Sequence, residues 1–288
     1  MKILSFGEVL WDVYPDRKLI GGAPFNFAAH LAKHREDVYM LSSVGNDLLG
    51  RETVDRMNTF GIRTDYVAIC DSAHTGRCIV TLDHNAVPSY NLLNNVAYDY
   101  IDSGIVGENF DVLYFGTLAL RSEFNRNSLS NLLKSRAFGE VFVDVNIRKP
   151  YYSSETVRFA AEKATIIKIS DEELPIVADI LNIDSDLDYV DFTSALSHHC
   201  QNLNTIIITL GEKGAFVYDV QNAAKYFCGG SKVTAVSTVG AGDSFSAAFL
   251  HRYLKGFNLN DCLFYATKIA ALVVSSFDAV PEYDPDHV

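Results

Sequence analysis

The sequence predicts an α/β protein of three layers, in which helices cover both faces of a mostly parallel central sheet. Short apolar runs typical of buried strands alternate along the chain with longer segments of helical period. The composition is that of a compact globular protein, with 48% hydrophobic residues, 21% charged residues and 7 prolines among 288 residues. Because no linker interrupts this pattern, we expect a single domain spanning residues 1–288.

Apolar runs with flanking polar or glycine residues are predicted to form the buried strands of the sheet. In chain order they occupy residues 2–6, 38–43, 112–115, 141–145, 166–169 and 205–209. Such short continuous runs are typical of strands that are covered on both faces.

Helices are predicted where apolar residues recur at helical spacing. Phe25, Ala28 and Ala32 follow this spacing, and Pro24 lies where a first helical turn tolerates proline. The other predicted helices run over residues 49–60, before Gly61, from about Phe245 to Gly256, and over residues 262–275.

One region departs from this alternation of strands and helices. Residues 75–100 contain two alternating stretches separated by a turn at residues 83–89, a pattern that predicts a hairpin. With residues 9–20 the hairpin would form a small antiparallel β-lid, and inserted flaps of this kind often cover a binding cleft. A plain edge hairpin without that role is the open alternative.

Charge and cysteine content exclude several classes of function. The chain has 24 Lys plus Arg against 36 Asp plus Glu, a net charge of −12 that repels phosphate backbones, so we expect no nucleic-acid partner. The five cysteines show no C-x-x-C spacing and predict neither a disulfide framework nor a zinc site. Long apolar runs and a secretory signal pattern are missing from the sequence, so we expect a cytoplasmic protein with no membrane partner.

The segment STVGAGDSF at residues 237–245 is a turn of small residues that leads into an amphipathic helix. Backbone N–H groups at a helix start are unpaired and can hold an anion, and Gly240 and Gly242 would let a phosphate approach closely. The segment is not a Walker A loop, because it lacks the G-x-x-x-x-G-K-[ST] pattern. A tight helix entry with Asp243 as an ordinary acidic residue of the first turn is the alternative.

The segment GGAPFN at residues 21–26 also places glycines before a helix. Asn26, together with Asp12 in the acidic turn that precedes it, offers donors and acceptors suited to sugar hydroxyls, and Gly22 leaves room for a ring. A solvated asparagine in a glycine turn is the alternative interpretation.

The segment DVNIR at residues 144–148 follows a predicted strand, where ligands collect in open α/β sheets. Strand alternation would place Asp144, Asn146 and Arg148 on one face. Arg148 could bind a carboxylate or phosphate with two hydrogen bonds, and a structural arginine–aspartate pair is the alternative.

Taken in order, these segments resemble the signatures of the PfkB family of carbohydrate kinases, also called the ribokinase family, along essentially the whole chain. GEVLWD at residues 7–12 and VGNDLLG at residues 44–50 look like further signatures. GGAPFN, DVNIR and FGTL at residues 115–118 are more similar to fructokinases than to ribokinases. The resemblance implies a ribokinase-like fold with a β-lid and an ATP-dependent sugar kinase, with fructose as the first expected substrate.

The alternatives differ in substrate and in class. A 2-keto-3-deoxygluconate kinase would use Arg148 to bind the substrate carboxylate. A catalytically silent sensor would bind sugar or nucleotide without turnover, although the presence of Asp243, Gly240, Gly242 and Asn26 together argues against that reading.

The resemblance also implies roles for particular residues. Asp243 would be the general base on the sugar hydroxyl, and the amides of Gly240, Ala241, Gly242 and Asp243 would form the anion hole for the phosphoryl oxygens. Four residues would contact the sugar or its new phosphate: Asp12, Gly22, Asn26 and Arg148. In TLGEKG at residues 209–214, Thr209, Gly211 and Gly214 would line the nucleotide site.

Two departures from the family pattern concern metal ions. Ser170 replaces the asparagine of an N-x-x-E motif, which leaves Glu173 to act on Mg²⁺ through its water shell, with the ion arriving bound to ATP. Ser237 and Asp278 replace the usual residues of a monovalent-cation site, and they argue against potassium activation. A homodimer through the lid is expected by likeness to some relatives, with a monomer as the alternative.

Overall fold

The computed structural model describes residues 1–82 and 88–288, so most of the turn predicted at residues 83–89 lies outside the described residues. The described strands, in chain order, are β1 (Lys2–Phe6), β2 (Leu10–Val13), β3 (Lys18–Gly21), β4 (Asp37–Gly45), β5 (Arg63–Cys70), β6 (Gly76–Leu82), β7 (Pro88–Leu92), β8 (Val112–Gly116), β9 (Glu140–Asp144), β10 (Ile166–Ser170), β11 (Thr205–Thr209), β12 (Gly214–Asp219) and β13 (Ala224–Gly229). The helices are α1 (Ala23–Lys33), α2 (Leu48–Phe60), α3 (Glu123–Ser135), α4 (Ser154–Lys163), α5 (Leu174–Leu181), α6 (Tyr189–His199), α7 (Ala241–Leu254) and α8 (Leu259–Val274).

The main sheet is mostly parallel, as predicted. Within the described residues its strand order is β13-β12-β11-β10-β9-β8-β1-β4-β5. The strands from β11 to β5 are parallel to one another, whereas β12 and β13 pair antiparallel at one edge. All the predicted strands are present, but Val145 falls outside β9. Strands β5, β12 and β13 were not predicted, because β5 and β13 lie towards the edges and expose many of their side chains.

Helices cover both faces of this sheet and complete the three layers. Helices α1, α2, α7 and α8 pack on one apolar face, where Phe27 stacks on Tyr114 of β8 with ring centroids 3.6 Å apart. Helices α3 to α6 pack on the other face around residues such as Phe115, Val143 and Phe192. Because the parallel strands inside the sheet are buried on both faces, their sequences are mostly apolar, which made them predictable, whereas the edge strand β5 is half exposed.

The predicted helix boundaries have clear local causes. Asp47 caps α2 by accepting a hydrogen bond from the Gly50 N–H, and Gly61 ends the helix in a left-handed conformation with φ 82°. Helix α8 begins earlier than predicted, because Asn258 caps it through the Asp261 N–H. No helix within the described ranges combines the length and hydropathy needed to cross a bilayer.

The lid is a separate sheet of strand order β3-β2-β6-β7. The predicted hairpin is present as the antiparallel pair β6 and β7, and β2 and β3 form a second antiparallel hairpin. The two hairpins join through β2 and β6, which run parallel. The predicted hairpin therefore does not extend the main sheet. It pairs edge to edge with the β2–β3 hairpin instead.

The order of the main sheet indicates where a ligand would bind. Strand β1 lies between β8 and β4. Strands β4 and β5 follow on one side of β1 and strands β8 to β13 on the other, so the strand order reverses at β1. Ligands of open α/β sheets bind at such a switch point, beyond the carboxyl ends of the strands. The N-termini of α1 and α7, which pack against each other, lie at this edge.

Candidate active site

A cavity of about 750 Å³ lies between the lid and the carboxyl ends of β1, β9 and β10. Its volume is within the range of small-molecule sites. Of the residues singled out in the sequence, Asp12, Gly22, Asn26, Arg148, Gly240, Gly242 and Asp243 line it. Ala241, Glu173, Thr209, Gly211 and Gly214 do not.

Helix α7 brings the segment GAGD into the cavity. Gly240 precedes the helix with φ 82°, and a Cβ at this position would lie 2.6 Å from the carbonyl oxygen of Ala279, so the turn requires glycine. The Ala241 N–H donates to the Thr238 carbonyl at 3.3 Å. Within the described chain, the amides of Gly242 and Asp243 have no hydrogen-bond partner. These two amides are therefore free to bind an anion, whereas the amide of Ala241 is used within the turn.

Asp243 is held in place by Asn26, which belongs to the first turn of the neighbouring helix α1. Asn26 Nδ2 donates to Asp243 Oδ2 at 2.7 Å, and both side chains are buried. This bond fixes the orientation of the amide and leaves Asn26 Oδ1 without a partner among the described residues. A free acceptor thus lies next to the carboxylate, at a site suited to a substrate hydroxyl.

The surroundings of Asp243 suit it to accept a proton near neutral pH. Burial and the nearby Asp144 carboxylate raise its pKa to about 6, although the hydrogen bond from Asn26 acts in the opposite direction. A general base works best with a pKa close to the working pH. Asp243 is therefore ionised at pH 7 and still basic enough to accept a proton.

Glu8 is a site residue that the sequence interpretation did not single out. It lies two residues after the end of β1, is only 2% exposed and lines the cavity, and its Oε2 has no partner in the described part of the chain. Burial raises the pKa of Glu8 to about 7, with a smaller contribution from Asp243. The sequence offered only a weak signal, an acidic residue shortly after a buried strand, where the chain reaches the ligand edge of the sheet.

Asp144 forms an ion pair with Lys168 on the neighbouring strand. Lys168 Nζ donates to Asp144 Oδ1 at 2.8 Å, and Ser246 Oγ donates to Asp144 Oδ2 at 3.2 Å. The alternative of a structural pair for Arg148 is not borne out: Arg148 is exposed and makes no ion pair within the described ranges. Lys168 was missed because one lysine inside an apolar strand carries no motif.

The expectation that strand alternation aligns the polar residues of DVNIR is wrong. Strand β9 ends at Asp144, and Asn146 has a left-handed backbone with φ 42°. The chain turns here because the Ile147 N–H donates to Glu173 Oε1 at 2.5 Å. Asp144, Asn146 and Arg148 nevertheless all line the cavity, since this turn curls around its edge.

Asp12 reaches the cavity from the lid. It lies within strand β2, opposite Leu19 and Cys78, and so is not part of the acidic turn that the sequence suggested. That turn comes later, where the Tyr14 N–H donates to the Arg17 carbonyl at 2.8 Å. Burial raises the pKa of Asp12 from its ordinary value. The lid therefore carries a partly desolvated carboxylate that lines the same cavity as Asp243.

Glu173 ties two loops together at the edge of the site. Its Oε2 accepts a hydrogen bond from the Ser170 N–H at 2.8 Å, while Oε1 accepts from Ile147. The described residues contain no group of three or more His, Cys, Asp or Glu side chains able to hold a metal ion. This donor set fits an ion that is held mostly by phosphates and water, with Glu173 as an indirect contact.

The segment TLGEKG, which was predicted to line a nucleotide site, lies outside the cavity but at the same edge of the sheet. Thr209 ends β11 and is paired with Ser170 of β10. Gly214 has φ 108°, and a Cβ there would lie 2.0 Å from the Cys228 carbonyl oxygen. Ser237 and Asp278 line the opposite end of the cavity, and Asp278 is exposed.

Comparison with known proteins finds one family along nearly the whole chain. Residues 5–284 match the model of the pfkB family carbohydrate kinases. The potato (Solanum tuberosum) fructokinase is 29% identical over 86% of this chain and 79% of its own length. A 5-dehydro-2-deoxygluconokinase of Bacillus anthracis is 26% identical over 92% of this chain and 83% of its own length.

Solved structures of similar fold include two fructokinases. The Xylella fastidiosa enzyme with bound ATP superposes with a TM-score of 0.85 at 19% identity, covering 97% of this chain and 94% of that one. The Vibrio cholerae enzyme with bound fructose, ADP and calcium gives a TM-score of 0.82 at 22% identity, covering 97% and 94%. At this level of identity the likeness establishes the ribokinase-like fold.

Proposed function

We propose that this chain, which belongs to the pfkB family of carbohydrate kinases, is a fructokinase that transfers the γ-phosphoryl group of ATP to a hydroxyl of fructose. Its activity as a sugar kinase follows from the family, and the fructokinases among its relatives support fructose as the acceptor. The observation that carries the mechanism is the buried Asp243 carboxylate, which Asn26 holds at the N-terminus of α7.

Asp243 is the general base of this proposal. It takes the proton of the sugar hydroxyl as that oxygen bonds to the γ-phosphorus and the bond to the β-phosphate oxygen breaks. The raised pKa of about 6 supports this role. The free amides of Gly242 and Asp243, at the positive end of α7, stabilise the charge of the transferring group together with Gly240.

The sugar binds between the lid and α1. Asn26 Oδ1 accepts a hydrogen bond from one sugar hydroxyl, and Asp12 accepts from others on the lid side. Gly22 lines the cavity beside the ring, and the turn requires glycine because the residue has φ 110° and a Cβ there would lie 2.6 Å from the Glu8 carbonyl oxygen. Arg148 lies near the sugar or its new phosphate.

The nucleotide extends from this cavity along the strand ends towards Thr209, Gly211 and Gly214. Glu173 would hold, through the water shell, a Mg²⁺ ion that arrives with ATP, and such an ion would offset negative charge on the phosphates. The occupation of both Glu173 oxygens by backbone N–H groups supports an indirect contact over direct ligation.

Residues 1–288 act as one kinase domain, and the sheet β3-β2-β6-β7 serves as its lid in this proposal. Pairing of two lids would form a homodimer, in the cytoplasm. The exposed position of Asp278 and the use of Ser237 Oγ as an acceptor for the Val239 N–H support an enzyme without potassium activation.

A second candidate substrate is a sugar acid such as 2-keto-3-deoxygluconate. The observation that favours it is Arg148, an exposed cation at the cavity with no ion pair in the described chain. A free guanidinium can bind a substrate carboxylate with two hydrogen bonds.

A coupled assay of ADP release tests these assignments. Mg·ATP is supplied with fructose, glucose, mannose, ribose, adenosine or 2-keto-3-deoxygluconate, with and without potassium, and Asp243→Asn serves as the blank. We expect turnover with fructose that potassium does not change. Turnover with the sugar acid alone would assign the second candidate, and ATP binding without turnover on any acceptor would indicate a sensor.

A further inference from the structure

A buried lysine lies beneath the GAGD turn, and the mechanism described so far does not use it. Lys168 is in the middle of β10, is 5% exposed and lines the cavity with its side chain. Lysine is rarely buried unless it is paired. Its position in an otherwise apolar strand therefore calls for a partner or a ligand.

The hydrogen bonds of Lys168 leave part of its donor capacity unused. An ammonium carries three N–H donors. Asp144 Oδ1, at 2.8 Å, is the acceptor that the described residues supply. Since a buried charge is costly unless its donors are satisfied, the remaining donors require acceptors from whatever fills the cavity.

These donors face the same space as the anion-binding amides. A Cβ built on Gly242 would lie 3.4 Å from Lys168 Nζ, so the ammonium lies directly beneath the turn. The amides of Gly242 and Asp243 have no partner within the described ranges. A cation and two N–H donors thus converge on one small volume, and glycine at position 242 keeps that volume open.

Asp144 is placed to orient this ammonium. The carboxylate is 1% exposed and is fixed in turn by Ser246, which donates to its second oxygen. A long lysine side chain loses conformational freedom when it is held in this way, so no reorganisation is needed during the reaction. Burial lowers the pKa of Lys168, but the carboxylates of Asp144, Glu173 and Asp243 together more than offset this effect, so the pKa is raised and the ammonium stays charged.

We propose that Lys168 is a further catalytic residue, which donates a hydrogen bond to the γ-phosphoryl group of ATP as it moves to the sugar oxygen, and that Asp144 is its positioning residue. The inference rests on the proposed kinase reaction. Lys168 keeps its protons throughout, since the hydroxyl proton passes to Asp243. Its charge offsets the negative charge that Asp243 and Glu8 bring to the site.

The alternative is a purely structural role, in which Lys168 only neutralises the buried Asp144 carboxylate. A paired replacement separates the two roles, because Lys168→Met combined with Asp144→Asn leaves no buried charge unpaired. The single variant Lys168→Arg is the second probe: it retains the ion pair but moves the donors. Lys163→Met, at an exposed lysine of α4, is the matched control.

Two measurements are made on each variant after a thermal melt has confirmed folding. The first is kcat for sugar-dependent ADP release. The second is the ratio of the ADP and ATP dissociation constants by calorimetry, which reports contacts to the γ-phosphoryl group even if the substrate assignment is wrong. We expect the paired variant to lose about 100-fold in kcat, Lys168→Arg to lose at least about tenfold, and the preference for ATP over ADP to fall about tenfold.

Either of two results would overturn the proposal. If the paired variant keeps kcat within about threefold of the parent, Lys168 serves only to neutralise Asp144. If the ATP preference of the paired variant equals that of the parent and of Lys163→Met, Lys168 does not contact the γ-phosphoryl group. A parent protein that turns over no sugar would count against the proposed function. The ratio of the ADP and ATP dissociation constants would then decide alone whether Lys168 contacts the γ-phosphoryl group.

Discussion

The cavity has two walls that differ in how they are built. The floor, made of Asp144, Lys168, Gly242 and Asp243, is attached to buried parallel strands and to the start of α7, and its polar groups bond to one another. The lid, made of β2, β3, β6 and β7, is a thin sheet whose outer residues are exposed, and it contributes Asp12. The contrast suggests that the floor performs the chemistry and the lid selects the sugar.

The floor and the lid should therefore fail in different ways when they are altered. A group that acts in the transition state lowers kcat, whereas a group that binds the substrate equally before and during the reaction raises KM. Substitutions in each wall, with matched controls, test this division.

The largest effect is expected at Asp243. Asp243→Asn removes the base but keeps the shape of the side chain, so kcat should fall by about 10²–10⁴-fold while ATP still binds. Steady-state kinetics and calorimetry measure the two quantities. Asp191→Asn, at an exposed first-turn aspartate of α6, is the control and should be silent. A kcat near that of the parent would remove Asp243 from the role of base.

A smaller effect, mainly on KM, is expected from the lid. Asp12→Asn weakens charge-assisted hydrogen bonds to the sugar, which are worth about 1.5–3 kcal/mol, so the sugar KM should rise about 10–100-fold with kcat little changed. Asp16→Asn, at an exposed acid in the turn of the same hairpin, should leave both constants alone. If Asp12→Asn lowers kcat by as large a factor as it raises the sugar KM, the division between lid and floor is contradicted.

A change in pH dependence is expected at Asn26. The base must be ionised to act, so kcat/KM should fall as the pH is lowered from about 7 to about 6. Asp243 and Glu8 titrate in this range as a coupled pair. Asn26→Leu removes the donor that favours the ionised form of Asp243, so this acidic limb should move to higher pH. The pH–rate profiles of the two proteins measure the shift, and a limb that stays in place or moves to lower pH contradicts it.

The smallest effect is expected where the lid meets the Arg148 loop. Tyr151 Oη donates to the Leu92 carbonyl of β7 at 2.9 Å. Tyr151→Phe removes one neutral hydrogen bond, worth about 0.5–1.5 kcal/mol, and should raise the sugar KM by about two- to tenfold at most. Tyr152→Phe is the matched control, since the Tyr152 hydroxyl makes no hydrogen bond within the described residues. If both variants have the sugar KM of the parent, this contact does not hold the lid in its binding position.

The same contrast explains how much could be predicted from the sequence. The central strands were predictable because they are buried on both faces and their sequences are mostly apolar. The edge strand β5 was missed because its side chains alternate irregularly between exposed and buried positions. The lid hairpin was predicted from its alternation, but its pairing through β2 with a second hairpin depends on contacts that are distant in sequence.

Site residues were predictable where glycine marked them. Gly22 and Gly240 occupy turns that no other residue fits, and Asn26 and Asp243 follow those turns in short motifs. Lys168 and Glu8 were missed, because a charged residue in or after an apolar strand gains its meaning only from the neighbouring strands. Strand alternation misplaced the DVNIR segment because a tertiary contact from Glu173 bends the chain there.

The most direct test of the central claim is to observe the transfer itself. ³¹P NMR of the enzyme with Mg·ATP and fructose should show a fructose phosphomonoester signal that grows as the γ-phosphate signal of ATP declines, and Asp243→Asn should abolish it. Release of inorganic phosphate without a sugar phosphate, or an unchanged ATP spectrum from folded protein that binds both ligands, would contradict the account.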